Sequence, residues 1–239
     1  MTNTLAQIDY VATAGNSPWH HASALPKLVL AAAAVLLAVF APGLKLQFAL
    51  YACGWLLAGS GRLPWRLLVA AAGYPLLFAA LFAALRWDGT WQTPLKIVLR
   101  PLTASLYVVW LIGTTPYPDL FAPISRVLPR AVGDGLFLTY RALFELLARA
   151  QRLLVAMRLR AATALPAQRR LPLAGEGLGT LVLYGFERSQ RMYATMLLRG
   201  HSGRICGCRH YAEVTRADAG VAFAALGLAA VAAWLWRAA

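Results

Sequence analysis

Cys206, Cys208 and His210, with His201 upstream, are residue types that bind soft metal ions, and His20 beside His21 offers a second pair. A stable site needs several such donors to converge, and this spacing matches no standard zinc pattern. The reading is a solvated loop with incidental thiols. No Walker A sequence is present to cradle ATP, and no His-Glu-x-x-His to hold a catalytic zinc. Within the long apolar stretches at 67–85, 95–113 and 219–236, Lys96 and Arg100, both near the start of the second, are the charged residues. No catalytic, cofactor-binding or metal-binding residue is therefore assigned, and an enzyme is not expected.

The elements that would position any site are apolar. Of 239 residues, 60% are hydrophobic and 13% charged, with a mean hydropathy of +0.58. A soluble domain carries roughly twice that charge. Two spans are short: Leu28 to Phe40, which must borrow flanking residues, and Leu46 to Ala58. Leu67 to Leu85 is full length, with Trp65, Trp87 and Trp91 placed as an interfacial belt. A fourth span runs from about Leu95 to Gly113, where Arg100-Pro101 predicts a kink or a late start, and a fifth from Ala219 to Trp236. Lys27 is expected to snorkel from the first span to the interface. The polar segment from Met1 to Pro26 lacks a basic n-region and does not resemble a cleaved signal peptide.

Charge orients the spans. Residues 126–216 hold 15 basic and 5 acidic residues, +10 of the formal +14. Basic segments next to spans stay in the cytoplasm, so this segment is expected inside, the N-terminus inside and the C-terminus outside. The expected organisation is all-α and polytopic: four spans in 1–125, a cytoplasmic region at 126–216, and a last span in 217–239. Concentration of the charge beside spans argues for a membrane setting over nucleic acid.

Two stretches of the cytoplasmic region have helical periodicity. Leu136, Tyr140, Leu143, Leu147, Ala150, Leu154 and Met157 form one stripe, with Arg141, Arg149, Arg152 and Arg160 off it. From Leu178 to Arg199 the row Leu178, Val182, Gly185, Ser189, Met192 and Met196 contains small residues that let another helix approach closely. Thr163 to Gly179, rich in Pro, Gly, Ala and Arg, reads as a connector. Leu198-Arg199-Gly200 is a helix stop, with an Arg in the last turn and a Gly at the left-handed cap position. A guanidinium fixed there suits a partner's carboxylate. Amphipathic anchoring on an anionic leaflet would give the same pattern, and pattern alone does not separate the two.

At these residues the chain resembles the transmembrane T component of energy-coupling-factor transporters, most closely the cobalt branch, the CbiQ family. The features are Ile8-Asp9, Ser17-Pro18-Trp19-His20 before Pro26-Lys27, Leu138-Thr139-Tyr140-Arg141, and the run from Glu187 to His201. The resemblance implies two Arg-centred triplets at the ends of long amphipathic coupling helices, here Leu159-Arg160-Ala161 and Leu198-Arg199-Gly200. Ala161 stands where the family has Gly, and Leu replaces Ala in both triplets. The partners implied are two ATP-binding-cassette subunits, which would bind ATP and Mg, a separate substrate-binding membrane S component, and a small accessory membrane subunit. Co(2+) or Ni(2+) would be the transported ion, in a bacterial inner membrane, with no cofactor bound by this chain. A nickel importer or a stand-alone permease are the alternatives.

Overall fold

The computed structural model describes residues 9–41, 43–86, 89–159, 167–201 and 216–237, which are mostly helical, with short turns between helices and no strands. They fall into two compact units, Met1–Pro123 with Arg209–Ala239, and Ile124–Cys208.

The first unit holds α1 (Ala24–Phe40), α2 (Leu44–Ser60), α3 (Trp65–Leu85), α4 (Gln92–Thr114) and α8 (Arg216–Arg237). Helix α4 packs against α1, α2 and α3, while α8 packs against α1 and α2. Small residues permit close approach, since a Cβ on Gly54 would lie 2.9 Å from Leu106 Cδ2. The buried heart is Leu46, Leu50, Leu106, Tyr107, Trp110 and Val221, with the Tyr107 hydroxyl donating to Leu50 O at 3.1 Å. Apolar side chains dominate the outside as well: Leu77, Phe78, Leu81 and Leu85 of α3 are exposed. An outward apolar face of that kind fits lipid, not water.

Among the described residues, Leu68–Leu85, Gln92–Thr114 and Ala217–Trp234 are long and apolar enough to cross a membrane, and Ala24–Phe40 is a shorter apolar helix. At 17 residues, α1 and α2 each rise about 26 Å, slightly less than a ~30 Å hydrocarbon core. Trp65 and Trp91 stand exposed at the starts of α3 and α4, and Trp87 lies outside the described residues.

Two expectations about this unit are corrected. Helix α4 does not start late: it begins at Gln92 and continues through Pro101. Arg100 is turned to use instead, donating through Nη2 to Ala41 O at 3.1 Å at the end of α1. Lys27 does not snorkel, being 1% exposed with its ammonium held by protein carbonyls.

Helix α5 (Tyr117–Val127), absent from the sequence reading, follows α4 after two intervening residues and carries the chain out of the first unit. The second unit contains α6 (Arg130–Leu159) and α7 (Ala167–Leu198), of 30 and 32 residues. The connector expected at 163–179 is corrected from Ala167 onward, because α7 already includes Pro172, Gly175, Gly177 and Gly179. Residues 163–166 lie outside the described residues.

Candidate functional site

Helices α6 and α7 are antiparallel neighbours, as their pairings show: Glu145 meets Arg188, Arg149 meets Tyr184, and Met157 meets Gly177. Arg188 Nε lies 3.0 Å from Glu145 Oε1 and donates to Oε2 at 3.1 Å, and Tyr184 donates its hydroxyl to Oε1 at 3.3 Å. The Arg149 guanidinium sits 4.9 Å above the Tyr184 ring centre. Glycine permits the close packing: a Cβ at Gly177 would lie 3.3 Å from Met157 Sδ and 3.4 Å from Leu153 Cδ2.

The faces in contact overlap the predicted ones in part: Gly185, Met192 and Met196 of the α7 row and Met157 of the α6 stripe are on the inner side. On α7 the inward positions are Gly177, Leu181, Tyr184, Gly185, Met192 and Met196, whereas Leu178, Val182 and Ser189 are exposed. On α6, Leu146, Leu153 and Met157 face the neighbour, and Leu143 and Leu154 from the predicted stripe are exposed. At about 100° per residue, the exposed Leu171, Leu178, Val182, Phe186, Tyr193 and Leu197 span roughly 100° of arc on α7. Leu136, Tyr140, Leu143, Leu147 and Leu154 make a similar arc on α6. Both arcs are offset in the same rotational sense from the inter-helix face, so in an antiparallel pair they fall on one side of the hairpin.

The end of α7 is built as its residues require. Gly200 has φ +71°, the left-handed conformation that glycine adopts without penalty. Its N–H donates to Leu197 O at 3.0 Å, and His201 N–H reaches back to Met196 O at 3.0 Å, the double closure of a Schellman motif. Arg199 N–H is shared between Thr195 O at 3.2 Å and Met196 O at 3.1 Å. Leu198 and Arg199 are exposed at this fixed end. Leu159 is exposed at the end of α6, while Arg160 and Ala161 lie outside the described residues. The structure thus describes one of the two predicted arginines and the geometry that holds it.

A second constellation, which the sequence reading missed, lies at the first turn of α1 in the other unit. Lys27 Nζ donates to Trp19 O at 3.0 Å and to Thr114 O at 3.2 Å, and Thr114 is the last residue of α4. A cation there satisfies an orphan carbonyl and complements the helix dipole. Four residues earlier, Asp218 Oδ1 accepts the Ser23 N–H at 2.7 Å, and its Oδ2 accepts the Ser23 hydroxyl at 3.0 Å. The carboxylates of Asp119 and Asp218 also act on the Lys27 charge through space. Trp19 is clamped in turn, edge-on to Trp110 with ring centres 5.6 Å apart and donating to Ser60 Oγ at 2.9 Å. A charged residue directly before an unbroken apolar run was the available signal, but it does not say which carbonyls wait for it.

The histidines are engaged locally. His20 Nδ1 lies 2.6 Å from Ser17 Oγ, and His21 Nε2 lies 3.2 Å from Asn16 Oδ1. Burial, and then the nearby Lys27 charge, lower the His20 pKa from its usual 6.5 and favour the neutral ring. Cys206, Cys208 and His210 lie outside the described residues, and among those described no three His, Cys, Asp or Glu residues are grouped to hold a metal.

The pattern of the CbiQ family, described as cobalt transport protein, matches residues 15–207. The match takes in the Lys27 turn, the apolar helices α1 to α4 and the α6–α7 hairpin with its cap. No curated protein matches the chain. With about four-fifths of its length matched, this all-α membrane protein belongs to the CbiQ cobalt transport protein family.

Proposed function

We propose that the chain is the transmembrane coupling subunit of an ATP-driven, energy-coupling-factor type cobalt importer of the bacterial inner membrane. It crosses the membrane five times, with residues 126–216 in the cytoplasm, an orientation that the basic excess there supports. Two ATP-binding-cassette subunits bind and hydrolyse ATP with Mg, docking on the helix ends that carry Arg160 and Arg199. Their closing and opening moves the coupling helices, and a separate substrate-binding S component reorients to release Co(2+). A small accessory membrane subunit completes the assembly. The apolar arcs of α6 and α7 lie on one side of the hairpin and offer a surface on which a protein partner can dock, and membership of the CbiQ family supports that use.

The observation that carries this reading is the Arg199 end: an exposed arginine whose backbone is fixed by a complete glycine cap at the tip of a 32-residue helix. Truncating a desolvated, paired Arg at a docking site costs about 2–5 kcal/mol, much of it from the partner's stranded charge. Arg199→Glu costs more, by setting like charges together on an acidic partner surface. The test is ATP-driven cobalt uptake by the reconstituted complex, with co-purification of its ATPases. Wild-type uptake by the Arg199→Glu protein with its ATPases still bound would refute the assignment. Nickel is the alternative cargo, since selection would reside in the S component.

A further inference from the structure

Resting on that coupling reading, we infer that the first turn of α1 is the clamp that ties the end of α4 to the start of α8, the membrane helices that lead to and from the coupling helices, with Lys27 as the positioning residue. The chain leaves the first unit after Pro123, within α5, and re-enters it at Arg209, ahead of α8, which begins at Arg216. Lys27 grips the end of α4, the outgoing helix, at Thr114 O, a contact spanning 87 residues of sequence. Ser23, one turn earlier, grips the start of α8, the returning helix, at Asp218 over 195 residues, with both carboxylate oxygens used. One helical turn therefore fastens the last membrane helix before the 85-residue second unit and the first one after it.

The chemistry of the site is that of a fixed point. Lys27 is 1% exposed, and a lysine so placed is retained only where its donors are satisfied. Its second acceptor, Trp19 O, belongs to a segment itself pinned by Trp110 and Ser60. Pulling on the end of α4 therefore loads α1, α8 and the Trp19 segment together. A coupling subunit needs such a point, because motion of its cytoplasmic helices does work on a membrane partner only if their roots do not slip.

The test uses the intact complex in proteoliposomes and reads ions taken up per ATP hydrolysed. Lys27→Met keeps the length of the side chain and removes both donated bonds. The expected result is an assembled complex that hydrolyses ATP with uptake per ATP lowered about fivefold or more, the lower end of typical coupling interactions. A merely structural role would reduce the amount of complex and leave that ratio unchanged, and an unchanged ratio overturns the inference. If Lys27→Met does not assemble, Asp218→Asn loosens the other pin more gently and is read the same way, a normal ratio again overturning it. Absence of ATPases from the wild-type preparation would refute the coupling reading, and this inference with it, whereas a normal ratio in a coupled complex refutes the clamp alone.

Discussion

Gly200→Ala isolates the cap from everything around it. A Cβ at this position meets nothing within 4 Å, so the substitution makes no clash and leaves only the conformational cost. Holding alanine at φ +71° costs about 1–2 kcal/mol, offset by about 0.4–1 kcal/mol from the smaller entropy of the unfolded chain. The net is on the order of 1 kcal/mol against the capped state, enough to raise local opening roughly fivefold. Three amides report it directly: those of Arg199, Gly200 and His201, which bond back to Thr195, Met196 and Leu197. Hydrogen exchange at these amides should speed up by about that factor, with the middle of α7 unchanged. Gly200→Asn should fall between, because asparagine tolerates the left-handed region better. Whether the freed end frays or continues as helix, Arg199 loses its fixed place, so cobalt uptake should fall as well. Exchange at these three amides identical to wild type would refute the view that the cap holds the arginine.

Two further outcomes follow from the packing of the membrane unit. Gly54→Val should destabilise by about 1–3 kcal/mol, since its Cβ would crowd Leu106 at 2.9 Å and Tyr107 at 3.4 Å, the latter ring being held by its bond to Leu50 O; a melting temperature in detergent equal to wild type would contradict it. His20, whose pKa is lowered below 6.5 by burial and by Lys27, binds fewer protons when folded than when unfolded, so its contribution is complete above 6.5 and declines as pH falls below that value. Thermal melting between neutral and mildly acidic pH should therefore show a steeper acid loss in wild type than in His20→Gln, and parallel curves would count against this account.

The sequence by itself determined the elements whose signals are local. Uninterrupted apolar runs announced the membrane helices, because backbone groups in lipid must be satisfied within the helix whatever surrounds it. Leu198-Arg199-Gly200 announced the end of α7, since a left-handed cap depends on one residue's torsion and on carbonyls within the same turn. The tertiary structure decided which apolar flank of each coupling helix meets the other. Leu178 and Val182 are as apolar as Leu181, and only the approach of Leu146, Leu153 and Met157 selects Gly177, Leu181 and Gly185 as the inner face. It also carried α7 through Pro172 and three glycines that read as a connector, because contact of Gly177 with Met157 and Leu153 outweighs propensity differences of about 1 kcal/mol per glycine. Most of all it decided the fate of Lys27. A lone cation beside an apolar run suits the membrane interface equally well on sequence grounds, and only the folded chain brings the carbonyls of Trp19 and Thr114 to within hydrogen-bonding distance of its ammonium.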